Sequence, residues 1–322
     1  MTPLLITDVA PRDGLQNQPT DLPTPDKAWL VQALADCGLP RIEATSFVSP
    51  QAVPRMADAP ALMAAVAPLA ASHLCVLTPN LKGLARAAQA GAREVCVVLS
   101  ATETMNRRNI RMGLDEAEAT CRQVLAQARD MGLRSRAYVA VAFACPYEGP
   151  TPPEVTLRLA QRMAEGGADE VVIADTIGAA HPGEVQTLAR IAVEELGPQR
   201  VGIHLHDTRG LGLANAWAAI QAGVRRFDSS AGGVGGCPFA PGAAGNLATE
   251  DLVWLAQASG YETGVDLPAL MRLIDEFGRR LGQPLGGRSH AWLRRHLGLA
   301  QSEKESGNAS MKVTVNETGS AK

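Results

Sequence analysis

Eight short runs of β-branched or apolar residues alternate with helical stretches along almost the whole chain. That alternation restricts it to a parallel sheet covered by helices. The runs are Leu4–Val9, Arg41–Ser46, His73–Leu77, Glu94–Ser100, Arg136–Ala142, Glu170–Ala174, Val201–His206 and Arg225–Ser229. Most are apolar at successive positions, as strands buried on both faces must be. Between them, Asp26–Cys37, Asn80–Ala90, Leu114–Met131, Pro153–Glu165 and Pro182–Glu195 have helical spacing. Gly38, Gly91, Gly132 and Gly166 stand just before the next strand, which predicts glycine caps at the helix ends. Eight β–α units predict an α/β fold closed as a (β/α)8 TIM barrel rather than an open doubly wound sheet. The turn after the first strand reads Ala10–Pro11–Arg12–Asp13–Gly14, so the glycine fingerprint of a dinucleotide fold is missing.

After the eighth unit, Leu247–Ser259 and Leu267–Leu281 read as additional C-terminal helices at the rim. From about Gln301 the composition turns to Ser, Glu, Lys, Asn and Gly, so residues 300–322 are expected to form a disordered tail behind a single domain over 1–299. Only 4% of residues are aromatic, and the core must be built from Ala, Val, Leu and Ile. The 30 basic and 33 acidic residues lack the dense positive face of an electrostatic nucleic-acid binder. The most apolar window, Ala59–Leu77, is interrupted by Pro60, Pro68 and His73, a poor membrane span. The first apolar run ends at Asp8 without a basic flank, unlike a signal peptide. Six cysteines form no CxxC pair, which predicts buried thiols in a reducing cytoplasm, Cys237 excepted.

In such a barrel, reactive groups gather at the carboxyl ends of the strands. The seventh strand ends His204–Leu205–His206, and alternation puts both imidazoles on one face. They are either ordinary core histidines or a grip on one divalent metal. Asp13 lies beyond the first strand, Glu43 and Ser46 on the second, Asp175 beyond the sixth, and Asn246 after the eighth. A carboxylate, two imidazoles and an amide oxygen suit Mg²⁺ or Mn²⁺ better than a closed zinc site. Helix N-capping is the alternative role for Asp13 and Asp175. Gly232–Gly233–Val234–Gly235–Gly236–Cys237–Pro238–Phe239 cannot be regular structure and predicts a mobile loop presenting one thiol. Asn106–Arg107–Arg108–Asn109–Ile110–Arg111 is either a solvated loop or a phosphate contact.

Arg12–Asp13–Gly14–Leu15–Gln16–Asn17, Ile42–Pro50, Cys145–Gly149, Gly235–Phe239 and Gly242–Asp251 together resemble the 3-hydroxy-3-methylglutaryl-CoA lyase family, over about Thr7 to Leu281. The resemblance implies a metal-dependent barrel that cleaves 3-hydroxy-3-methylglutaryl-CoA to acetyl-CoA and acetoacetate, in leucine catabolism and ketone-body formation. It implies Asp13, His204, His206 and Asn246 as ligands of Mg²⁺ or Mn²⁺. Arg12 faces the thioester carbonyl, and Cys237 sits on the glycine-rich loop. Arg12, Asp13, His204 and Cys237 form the implied catalytic set, and Arg12, Gln16, Glu43, Ser46 and Asp175 the substrate-binding set. Related lyases acting on longer-branched or substituted 3-hydroxyacyl-CoA esters share these residues. Condensing acyltransferases of the superfamily usually read R-D-G-E-Q, where Leu15 stands here. The expected partners are a small acyl-CoA substrate and a second copy in a homodimer, with no nucleic acid or membrane. Gly287–His296 matches no motif of the family.

Overall fold

The computed structural model describes residues 2–69, 74–236 and 245–299. Eight parallel strands close into a barrel: β1 (Leu5–Asp8), β2 (Arg41–Ser46), β3 (Leu74–Leu77), β4 (Glu94–Ser100), β5 (Arg134–Ala140), β6 (Glu170–Asp175), β7 (Val201–Leu205) and β8 (Arg226–Ser229). They follow chain order around the barrel, and β8 pairs with β1 to close it. The helices are α1 (Thr24–Asp36), α2 (Ala59–Ala65), α3 (Leu81–Gln89), α4 (Glu103–Ile110), α5 (Leu114–Asp130), α6 (Pro153–Glu165), α7 (Pro182–Leu196), α8 (Gly212–Gln221), α9 (Thr249–Ala258), α10 (Leu267–Leu281) and α11 (His290–His296). Among the described residues no helix is long and apolar enough to cross a membrane.

The strands sort their side chains by parity. Ile6, Ile42, Val95, Val97, Ile173, Ile203 and Phe227 pack outward against Leu30, Leu34, Leu84, Leu125, Leu159 and Leu188 of the helices. This outer layer holds most of the apolar core, and fully burying one such leucine contributes about 1.5–3 kcal/mol. Inside the barrel, Cys75, Leu77, Cys96, Tyr138 and Val172 form a small apolar cluster with Val98 packed against it. At the amino-terminal ends of the strands the interior is charged. Glu170 meets Arg41 (2.8 Å), Arg136 (2.8 Å) and Arg226 (3.1 Å), and Glu94 meets Arg41 (3.1 Å) and Arg134 (3.0 Å).

Several expectations need correction. Leu247–Ser259 is not an extra rim helix: its helical part, α9, is the helix of the eighth unit, and the additions are α10 and α11. Asn106–Arg111 does not form a solvated loop. It lies largely within α4, where buried Asn106 bonds the Ser100 amide and the Ser100 and Thr102 carbonyls. The fifth strand starts and ends two residues early. In the turn before β6 it is Gly167 (φ +110°), not Gly166, that takes the left-handed conformation, while Gly166 stays helical. His73, Cys237 and the tail lie outside the described residues.

Gly38 and Gly91 both cap helices, with φ +85° and +84°. A methyl on Gly38 would collide with the Gly264 carbonyl, whereas Gly91 has nothing within 4 Å of that position. Gly91→Ala should therefore cost only the left-handed strain, about 1–2 kcal/mol, a few degrees in a thermal melt. Gly38→Ala should lower Tm by more than twice as much, and equal losses in calorimetry would show that the Gly264 backbone yields freely.

Candidate active site

Arg12 and Asp13 are presented by one wide turn at the end of β1, in which the amides of Arg12, Asp13 and Gly14 converge on the Val9 carbonyl at 3.2, 2.8 and 3.1 Å. Asp8 anchors the turn. Its carboxylate accepts the Ala10 amide (2.9 Å) and the Thr249 hydroxyl (2.7 Å). Because Thr249 gives its one proton to Asp8, the Ser229 hydroxyl donates to Thr249 across 2.8 Å.

Strand β2 supplies Glu43 and Ser46, three residues apart, which simple alternation would put on opposite faces. The register shifts between Glu43 and Thr45, so Glu43 pairs with Cys75 and Ser46 with Leu77. This bulge turns both side chains into the barrel. Glu43 receives Arg12 Nε at 2.7 Å, and Arg12 Nη1 reaches Asp13 at 2.7 Å. The second Glu43 oxygen and the Ser46 hydroxyl are buried without a partner.

His204 and His206 enter from β7 on one face, their rings 5.1 Å apart. His204 Nδ1 faces an Asp228 carboxylate oxygen at 3.4 Å, and His206 Nδ1 faces the Asp175 carbonyl at 3.0 Å. Both acceptors fix the proton on Nδ1 of a neutral ring and leave Nε2 as a free donor atom. Ligand atoms of Asp13, His204 and His206 lie within 4.8 Å of one another. Asn246 Nδ2 donates to Asp13 (2.9 Å) and to the Val234 carbonyl (3.1 Å), and its Oδ1 is buried with no hydrogen-bond partner. An orphaned amide oxygen beside two free Nε2 atoms and a carboxylate fits a hard divalent cation.

The HMGL-like family model matches residues 4–276. This chain belongs to the HMGL-like family. It is 40% identical over 284 residues to the hydroxymethylglutaryl-CoA lyase YngG of Bacillus subtilis, covering 88% of this chain and 95% of that one. Over 292 residues it is 40% identical to a mitochondrial hydroxymethylglutaryl-CoA lyase of Arabidopsis thaliana, covering 91% of this chain but 62% of the relative's length. A solved HMG-CoA lyase from Acinetobacter baumannii, in complex with coenzyme A and 3-methylmalate, superposes with TM-score 0.85 at 38% identity, over 89% of this chain and 94% of that one.

Within this HMGL-like barrel the remaining sequence-derived residues fall as follows. Asp175 ends β6, and its carboxylate accepts the Ala179 and Ala180 amides at 2.9 and 3.1 Å while its carbonyl orients His206. Its side chain thus shapes a loop. Gln16 lies half-buried just past the Arg12–Asp13 turn. Arg107 of α4 pairs with Glu103, and Arg108 lies over the Tyr147 ring at 4.4 Å. Cys237 follows Gly236, the last described residue of the glycine-rich segment. Sequence reading missed Arg136, Tyr138, Asp228 and Asp8. A charged residue within an otherwise apolar strand was the available signal for Arg136 and Asp228.

Electrostatics divide these groups. Burial alone would raise the Asp13 pKa, but Arg12, His204, His206 and the Asn246 bond outweigh it and hold it below the usual carboxylate range. Glu43 is raised by burial against the pull of Arg12. Burial opposes charge on His204, yet the bond and charge of Asp228, with Asp13, raise its pKa. His206 is pushed down to about 4 by burial and by His204.

Burial lifts Asp8 to about 7 against its hydrogen bonds. Unfolded, the carboxyl titrates at about 3.9. Between those values the folded chain holds more protons than the unfolded one, so this contribution to stability declines as pH rises. Urea unfolding at pH 4.5 and 8 should show wild type losing stability relative to Asp8→Asn across that interval. Parallel behaviour of the two proteins would mean that Asp8 ionises in the ordinary range.

Proposed function

We propose that this HMGL-like enzyme cleaves 3-hydroxy-3-methylglutaryl-CoA to acetyl-CoA and acetoacetate, with residues 1–299 as one catalytic domain. The observation that carries the reading is the cluster of Asp13, His204, His206 and the orphaned Asn246 oxygen beside Arg12. Its relatives named for this activity support the substrate over a longer-branched ester or a condensing reaction. Asp13, His204, His206 and Asn246 would hold Mg²⁺ or Mn²⁺, which when bound lowers the pKa of a hydroxyl on the substrate and fixes its oxygens.

The chain's own residues then divide the work. The tertiary hydroxyl of the substrate loses its proton, the C2–C3 bond breaks, and the electron pair passes to the thioester as an enolate. Arg12 is permanently charged and held in place by Glu43 and Asp13, and it stabilises the developing negative oxygen. Of the two candidate bases, Asp13 and His204, His204 would have no free lone pair, with its Nδ1 proton held toward Asp228 and its Nε2 on the cation. The Asp13 carboxylate keeps lone pairs beyond its bonds to Arg12 and Asn246 and takes the hydroxyl proton. Cys237 returns a proton to the enolate carbon, directly or through a water. Glu43, Ser46 and Gln16 complete the acyl pocket, Ser46 and Glu43 through their unpartnered oxygens, and Asp175 supports it by holding the loop after β6.

We infer a cytoplasmic homodimer. Five cysteines, Cys37, Cys75, Cys96, Cys121 and Cys145, are free and buried, which suits a reducing compartment. The alanine-rich outer helices suit dimer packing. The family resemblance carries the further reading of leucine catabolism and ketone-body formation.

The test is a coupled assay of acetyl-CoA release over a panel of 3-hydroxyacyl-CoA esters, with EDTA and after Mg²⁺ is restored. Release only from the 3-hydroxy-3-methylglutaryl ester, lost in EDTA and regained with Mg²⁺, is expected. Consumption of acetyl-CoA with a 2-oxo acid would instead establish a condensing enzyme. Cys237→Ala should lower kcat by roughly 10²–10⁴-fold with metal binding intact, and near-normal turnover would remove its role. His204→Ala should weaken metal binding and turnover together, and an unchanged metal content would refute the ligand assignment.

A further inference from the structure

The segment Gly286–His296, within which Gly287–His296 matches no family motif, is tied to the catalytic face through backbone amides. Glu250, fully buried at the start of α9, accepts the Gly232 amide with one carboxylate oxygen (3.1 Å) and the Gly287 amide with the other (2.6 Å). The Gly286 amide donates to the Gly232 carbonyl (3.2 Å), so segment and loop are joined twice. Asp251 accepts the amides of Arg288 (2.8 Å) and Ser289 (3.0 Å) and the Ser289 hydroxyl. His290 stands between Glu250 (3.8 Å) and Asp275 (3.2 Å), and Arg294 also pairs with Asp275. Arg288 reaches Asp207, the residue after His206, and Asp207 in turn accepts the Gly212 amide (2.8 Å).

Gly232 lies two residues before Val234, and the Val234 carbonyl takes one of the two hydrogens that aim the Asn246 amide. Gly232 and the Asn246 amide are thus connected through the Gly232–Val234 backbone and one hydrogen bond, at a carbonyl that Ser230 also holds. We propose that Gly286–His296 is a brace for the active site, in which Gly287 and His290 act as positioning residues that hold Glu250, the Gly232–Gly236 backbone and thereby Asn246. The metal arm of this inference rests on the cation site proposed above, whereas the backbone arm stands without it.

The full-length chain is compared with Gly287→Ala, whose methyl would collide with the Asp251 carboxylate and the Ala248 side chain, and with the gentler His290→Gln. Amide hydrogen exchange over residues 230–236 and Mn²⁺ affinity by calorimetry are read beside thermal stability. Exchange at Gly232 should quicken in both variants, and the Mn²⁺ dissociation constant should rise roughly 10–100-fold in Gly287→Ala, as for lost supporting partners of a metal ligand. A lowered Tm with unchanged exchange at 230–236 would reduce the segment to a structural role and overturn the brace. Faster exchange with unchanged Mn²⁺ affinity would overturn the link to Asn246. Should wild type bind no Mn²⁺, the cation site fails by itself, and exchange decides the brace. If Gly287→Ala does not fold, His290→Gln carries both measurements.

Discussion

Arg136 holds two carboxylates at once inside the barrel. Its Nη2 reaches Glu170 at 2.8 Å and Asp228 at 2.7 Å, and Nη1 donates to the Tyr138 hydroxyl, which itself donates to Asp228. Each member has its bonding capacity engaged by another, and none is open to water. Truncating one partner of such a group costs about 3–5 kcal/mol, because it strands a buried charge. Against a total stability of about 5–15 kcal/mol, that makes the cluster a constraint the fold must respect. Through Glu170 and Glu94 it extends to Arg41, Arg134 and Arg226, so strands β2, β4, β5, β6 and β8 are fixed in register by charge as well as by backbone pairing.

The upper end of this floor is where structure becomes chemistry. Asp228 pairs in register with His204 and offers its carboxylate to the Nδ1 of that ring. An apolar plug at the same depth would fill the barrel equally well, but it would leave the imidazole free to flip. With Asp228 held ionised by Arg136, the His204 tautomer is set from below and its Nε2 points to the site. His206 is set differently, by a neutral carbonyl, and keeps a depressed pKa. Two histidines of one sequence motif thus acquire unlike proton affinities. The difference comes from the Asp228 carboxylate, which raises His204, and from burial and the neighbouring His204, which lower His206.

The sequence showed β2 and β4 with their observed bounds because apolar runs, flanking glycines and helical periods agree there. It also singled out Asp13, His204, His206 and Asn246, and the structure brings ligand atoms of the first three within 4.8 Å of one another with Asn246 bonded to Asp13. What it hid has one common cause. Asp228, Arg136 and Asp8 act through partners 92 and 241 positions away, and no local pattern reports a pairing of that separation. Likewise the bulge that brings Glu43 and Ser46 to one face depends on Cys75 and Leu77 of the neighbouring strand. The fate of Asn106–Arg111 was hidden for a simpler reason. Its polar residues read as a loop, but the Asn106 side chain bonds back to the Ser100 backbone and ties α4 to the end of β4.

At the mouth, acids serve a second purpose that bears on cation choice. Asp8, Asp175, Asp207, Glu250 and Asp251 each accept at least one backbone amide, and together they fix the loops after β1, β6, β7 and β8. A carboxylate engaged by amides has less capacity to capture a metal ion, because its lone pairs are already directed. That leaves Asp13 and Glu43 facing the imidazoles and Arg12, and Arg12 neutralises part of both. The pocket therefore presents close to one unit of negative charge toward two neutral rings and an amide oxygen. Such a set favours a hard divalent ion that keeps exchangeable positions, and it leaves room for substrate oxygens in place of further protein ligands.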